Sequence, residues 1–217
     1  MVAVYQKLCP ETLDGACREL ADRDPALDRI YRERGCPPLW QRRPGFRTLV
    51  QIILEQQVSL ASGRATMKRV ENAIGRVTAQ SLAGAGESGL RAAGVTRQKA
   101  LYCTLLARAA MDGELNLGRI ARVRDHEALD MLTAFKGVGR WTAEVYLLMA
   151  LRRPDVWPAG DLALARALQA VKKLPVKPGE DVMRTIARPW RPFRAVAARM
   201  LWQEYLCRNR AASAASG

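Results

Sequence analysis

An apolar period of 3.6 residues recurs along this chain, and no stretch alternates in the two-residue rhythm of a half-buried strand. Phe46, Leu49, Val50, Ile53, Leu54 and Gln57 fall on one helical face, and Phe193, Val196, Ala197, Met200 and Leu201 repeat the pattern near the end. A chain patterned in this way is expected to fold all-α. Helix starts are expected near residues 11, 26, 45, 60, 96, 125, 140, 160, 179 and 190, between short turns marked by Gly or Pro. The tail Ala211 to Gly217 carries too little apolar bulk to pack and is expected to be disordered.

Charge narrows the partners. Lys and Arg number 35 against 21 Asp and Glu, a formal net charge of +14, which favours a polyanion, with nucleic acid first. The basic residues are spread through the sequence, as on a folded surface, and no basic amphipathic segment stands apart as a membrane anchor. No apolar run reaches the ~18 to 20 residues of a membrane span, and Met1 to Gly15 lacks a signal-peptide core. The five cysteines, Cys9, Cys17, Cys36, Cys103 and Cys207, are odd in number and contain no C-x-x-C pair. Neither a disulfide framework nor a zinc site is indicated, so a reduced cytoplasmic location is expected, nucleoid-associated in a bacterium.

One motif stands out. In Leu132-Thr-Ala-Phe-Lys-Gly-Val-Gly-Arg-Trp-Thr-Ala-Glu144, helix-forming residues flank Gly137-Val138-Gly139. The glycines read as a tight turn between two helices whose bare backbone can approach another surface closely. The second helix begins at once, so its unpaired N-terminal amides and dipole favour an anion such as a DNA phosphate. A plain helical hairpin uses glycine for connection alone, and Gly-x-Gly by itself does not separate the two. Further on, Trp157-Pro-Ala-Gly-Asp161 places a carboxylate twenty positions beyond Trp141. Asp is also a preferred helix N-cap, and Asp161 can serve the helix Leu162 to Val171 in that role while acting elsewhere.

Together with Gln51-Ile-Ile-Leu-Glu-Gln-Gln-Val-Ser59 and Trp190-Arg-Pro-Phe-Arg194, these residues resemble the helix-hairpin-helix (HhH-GPD) superfamily of DNA glycosylases. Within it, the likeness is to the 3-methyladenine-DNA glycosylase II family in its compact form, over roughly residues 40 to 205. The resemblance implies a two-lobed all-α fold with the active cleft between lobes. Breaks at Arg34 to Pro38 with Arg43 to Gly45, and at Arg152 to Pro158, give the expected division. Residues 45–158 would form a six-helix lobe containing the hairpin at about 125–152, and 1–44 with 159–217 the second lobe.

The resemblance also assigns chemistry. Cleavage of an N-glycosidic bond develops positive charge on the sugar, and Asp161 is the expected catalytic carboxylate that stabilises it and orients water. Lyase-type members carry a lysine where this chain has Trp141, so a monofunctional glycosylase that releases a free base is implied. An alkylated purine is cationic and attracts electron-rich rings. Trp141 matches a pocket position, with Phe193 at its edge and Trp190 a neighbouring candidate; core packing is the alternative for Trp190 and Phe193, and is the expectation for Trp202. The only histidine, His126, is expected at the surface or in a cap.

Duplex DNA containing damaged bases is the implied partner, bound by a monomer. Gly137, Gly139, Arg140, Thr142 and Lys136 would contact its backbone, with Arg64 and Lys68 nearby. Lys136 stands where the family often has proline. The wedge that fills the gap left by a flipped nucleotide falls on Gln56 or Gln57, although Gln57 can equally end a core-facing helix. No cofactor is required by this chemistry. Family members hold Na⁺ or K⁺ on hairpin carbonyls, here those of Thr133, Phe135 and Val138. The iron-sulfur cluster of lyase relatives needs four closely spaced C-terminal cysteines, and only Cys207 lies there. The rival readings are a non-catalytic helix-hairpin-helix DNA-binding module and, further off, a bifunctional glycosylase/lyase.

Overall fold

The computed structural model describes residues 7–215, and every regular element among them is helical. The order is α1 (Pro10–Arg23), α2 (Pro25–Arg34), α3 (Phe46–Glu55), α4 (Leu60–Ile74), α5 (Ala79–Ala92), α6 (Arg97–Met111), α7 (Leu117–Ile120), α8 (Asp125–Thr133), α9 (Arg140–Met149), α10 (Leu162–Val171), α11 (Glu180–Ile186), a short 3-10 turn (Arg188–Trp190) and α12 (Arg194–Ala215). Starts are set by local chemistry. Asp24, Ser59, Thr78, Thr96, Asn116 and Asp161 each accept a backbone amide of the first turn, and Pro10 and Pro25 open α1 and α2.

Two helices were absent from the expected starts. α5 runs through Gly84, Gly86 and Gly89, and Gly86 at φ +60 kinks it, so its apolar period is broken in sequence. α7 is a single turn of four residues, too short to show a period. The tail departs from expectation in the other direction: α12 continues through Ala215, because alanine is the strongest helix former even without a packing face. Residues 216 and 217 of that tail lie outside the described residues.

The chain divides into two units, Met1–Gln41 with Leu147–Gly217, and Arg42–Tyr146. The return falls inside α9 at residue 147 and not at the Pro-marked break before 159. The physical reason is packing: Leu148 and Trp157 are buried in the core built by the terminal helices. Prolines mark where the chain turns, not where it changes cores.

In the first unit, α12 packs against α10, α2 and α1. Leu13, Leu20, Leu27, Ile30, Leu164, Leu168 and the run Ala195 to Ala198 fill the interior. A charge lies within it. Arg199 is fully buried and donates to the carbonyls of Leu39 (3.0 Å), Leu148 (2.9 Å) and Ala195 (3.3 Å). Burial pulls its pKa down to about 10, so the guanidinium stays charged at neutral pH. Trp190 is 1% exposed, packs edge-on against Trp157 at 5.5 Å, and donates its indole N–H to Asp24 at 2.7 Å.

In the second unit, α3 packs on α4 and α6, and α5 on α6. Buried Glu55 anchors the end of α3, pairing with Arg42 at 2.8 Å and accepting from the Gln51 amide at 2.9 Å. At the other end, the hydroxyl of buried Tyr146 accepts the Gly45 amide at 3.1 Å.

Candidate functional site

The glycine turn between α8 and α9 is fixed by a conformation that only glycine adopts easily. Gly137 has φ +91, and a Cβ built there would lie 2.4 Å from both Cβ and Cγ of Tyr102 on α6. Gly139 has open space where its Cβ would be, on the exposed side of the turn. The Val138 amide donates to the Phe135 carbonyl at 3.0 Å and closes the turn, burying the Val138 side chain at 2% exposure. Among the described residues, the amides of Gly137, Gly139 and Arg140 donate to no backbone carbonyl. A run of amides at a helix start is the anion-receptive geometry expected from the sequence.

Side chains around the turn divide into two kinds. Lys136 is exposed, and Arg140, 60% exposed, pairs through Nε with Glu144 at 2.9 Å. Arg64 and Lys68 are exposed on α4. Thr142, by contrast, is 1% exposed and its hydroxyl accepts from Gln56 Nε2 at 2.8 Å, so its expected place among DNA-contacting side chains is corrected to one inside the unit. Gln56 is corrected with it. Its amide also donates to the Gly137 carbonyl at 2.9 Å, which commits the side chain to bracing the turn. Gln57 is the exposed member of the pair, held at φ +56 between α3 and α4 beside exposed Val58 and Leu60.

The carbonyls of Thr133 and Val138 accept no backbone amide among the described residues, and that of Phe135 accepts only Val138. Three neutral oxygens on one turn suit a hard monovalent cation better than a transition metal.

In the other unit, Asp161 caps α10: its Oδ1 accepts the Leu164 amide at 2.8 Å. The same oxygen accepts the indole N–H of Trp202 at 3.0 Å. Trp202 is 8% exposed and so packs in the core as expected, but its polar edge also orients the carboxylate. That role was not anticipated. An aromatic with an N–H, buried on a helix face, was the only signal available for it. Trp190 is corrected from pocket candidate to core residue, since its ring is enclosed and its N–H is taken by Asp24. Phe193 is half-buried against the core of the first unit, and Trp141 is half-buried on the first turn of α9. His126 lies exposed on α8, 3.8 Å from Glu127.

Known proteins resemble this chain in sequence and in fold. The pattern of the family described as HhH-GPD superfamily base excision DNA repair protein matches residues 50–192. The protein YfjP of Bacillus subtilis is 25% identical over 186 residues, covering 82% of this chain, which spans 65% of that protein's length. DNA-3-methyladenine glycosylase 1 of Schizosaccharomyces pombe is 26% identical over 167 residues, 75% of this chain and 73% of the relative. The crystal structure of a DNA-3-methyladenine glycosidase from Bacillus halodurans superposes with a TM-score of 0.75 at 27% identity, covering 91% of this chain and 89% of that one.

Proposed function

The chain belongs to the HhH-GPD superfamily of base excision DNA repair proteins, and on that premise we propose that it is a monofunctional DNA glycosylase releasing alkylated purines of the 3-methyladenine type from duplex DNA. Relatives named as DNA-3-methyladenine glycosylases support the substrate class. The observation that carries the reading is Asp161, a carboxylate gripped by a helix-start amide and an indole N–H. Such a group is held in orientation, and a fixed carboxylate is what an oxocarbenium-like sugar requires.

In this reading the hairpin amides and Lys136 hold the DNA backbone without reading sequence. The damaged nucleotide leaves the stack at a cost of a few kcal/mol, and Gln57 takes its place. The lesion's own positive charge draws it to aromatic faces, with Trp141 and Phe193 the candidates. That charge also makes the base a good leaving group, so no general acid is needed and exposed His126 has no part. Asp161 stabilises the sugar cation and orients the water that attacks it, leaving an abasic site. Trp141 offers no amine for a Schiff base, which separates this chemistry from strand-cleaving lyases. A Na⁺ or K⁺ ion on the Thr133, Phe135 and Val138 carbonyls would add positive charge beside the bound phosphate.

The test is base release from methylated duplex DNA by the wild type and by Asp161→Asn. Asparagine caps a helix as well as aspartate and can still accept from Trp202, so the variant should fold while losing about 100-fold or more in rate. Tight DNA binding without released base would make the protein a binding module. A borohydride-trapped covalent adduct would overturn the assignment of Trp141. A panel of lesion-bearing oligonucleotides defines substrate breadth.

A further inference from the structure

At the end of α3 lies a cation with no counter-charge. Lys99, on the first turn of α6, extends its ammonium to the carbonyls of Leu54 and Gln56, each at 2.8 Å. Among the described residues no carboxylate pairs with it, and burial lowers its pKa, opposed in part by Cys103. A half-buried ammonium kept for two carbonyls alone is costly unless those carbonyls must be held. Leu54 lies in the last turn of α3 and Gln56 is its C-cap, where partners within the helix run out and a cation suits the dipole. The Gln56 carbonyl also stands immediately before Gln57, a non-glycine residue in the left-handed region.

The other side of the same turn is fixed as well. Gln56 sends its side chain to the Gly137 carbonyl and the Thr142 hydroxyl, while its own carbonyl is taken by Lys99. One residue thus links the end of α3, the start of α6 and the glycine hairpin. Tyr102, one turn beyond Lys99 on α6, lies against Gly137, so α6 touches both turns.

We propose that Lys99 is a positioning residue for nucleotide flipping: with Gln56 it locks the Gln57 turn to the glycine hairpin, so that the backbone grip and the gap-filling residue act as one rigid body. The inference rests on the reading of the protein as a DNA glycosylase. Its physical content is that phosphates seized by the hairpin set the position of Gln57 directly, with no independent search by a loose loop. Lys99 itself touches no DNA.

Lys99→Met keeps the length of the side chain and removes its charge and donors; Lys99→Arg restores donors. Amide hydrogen exchange on the free full-length protein tests the lock without any substrate. In Lys99→Met, exchange over residues 54–60 and 137–142 should accelerate about tenfold or more while the core of α6 stays protected. With a duplex carrying 2-aminopurine beside the lesion, the fluorescence rise on flipping and the single-turnover rate of base release should both fall about tenfold, as misplacement of a positioned group does. Affinity for undamaged duplex should change by less than about twofold with an unchanged salt slope, and Lys99→Arg should recover most of the loss. Unchanged exchange in the two turns overturns the proposal. So does a rate that falls in step with affinity while the salt slope drops by about one, which would make Lys99 a phosphate contact. If Lys99→Met does not fold, Gln56→Met breaks the same lock from its other side and must give the same exchange pattern. A wild type that releases no base would refute the glycosylase reading alone, since the exchange and fluorescence measurements still decide the lock.

Discussion

Gly137→Ala is the sharpest perturbation the hairpin offers, because backbone and packing penalties coincide there. The residue sits at φ +91, where an L side chain costs about 1 to 3 kcal/mol. The new methyl group would also lie 2.4 Å from Cβ and Cγ of Tyr102 and 2.6 Å from Cδ2. Because Tyr102 Cβ is fixed to α6, no rotamer change clears the overlap, and overpacking of this kind adds about 1 to 3 kcal/mol. The sum centres near 4 kcal/mol, which for a chain of this size is about 8 to 16 °C in Tm. Gly139→Ala is the internal control. Open space surrounds its added Cβ, so its effect on stability should stay within about 1 kcal/mol, while the methyl group on the exposed side of the turn weakens DNA binding. The assay is thermal and urea unfolding of both variants followed by far-UV circular dichroism, beside a duplex-binding titration. Equal stability of the two variants would refute the argument that Gly137 is dictated by its conformation and by Tyr102. Because the clash includes Tyr102 Cβ, adding Tyr102→Ala to Gly137→Ala should not rescue it.

Trp202→Phe keeps the buried ring and removes the donor to Asp161; a hydrogen bond to a charged group is worth about 1.5 to 3 kcal/mol, and base release should slow while DNA affinity holds, which single-turnover kinetics and binding titrations separate. Asp24 gives a pH signature. Burial acts to raise its pKa, but hydrogen bonds from Lys172, Trp190 and the Ala26 amide outweigh it, and the net shift is downward. A carboxylate depressed in the folded state contributes stability that is complete above its unfolded value, about 3.9, and is lost as pH falls through the folded one. Asp24→Asn should therefore be less stable than wild type at pH 7 by about 1 to 3 kcal/mol, with the gap narrowing as pH falls below ~4; a gap in urea titrations that did not narrow at all as the pH was lowered below ~4 would contradict this.

How much of this was legible in sequence depended on the range over which the determining contacts act. α3 could be read because its apolar face repeats within ten residues, and α10 because Asp161 caps it from the adjacent position. The glycine turn was legible for a related reason: Gly137 records a backbone demand at its own position, although the partner that enforces it, Tyr102, is 35 residues away and left no mark. α5 was illegible since its glycines, needed at the kink, erase the period that identifies a helix.

Site residues failed or held on the same principle. The sequence offers Gln56 and Gln57 as near-equivalents at one turn, and nothing local distinguishes them. Their difference is made by Gly137 and Thr142, 81 and 86 residues along, which claim the first and leave the second exposed. Trp190 and Trp202 form a second such pair. Both are buried indoles near the C-terminus with a carboxylate on their N–H, but Trp190 meets Asp24, a cap already neutralised by Lys172, whereas Trp202 meets Asp161. Lys172 and Trp190 together commit Asp24 to the fold, whereas Asp161 is the carboxylate that the proposed chemistry uses. A lysine newly placed within reach of Asp161 would compete for the carboxylate as Lys172 does for Asp24, and should slow base release in single-turnover assays.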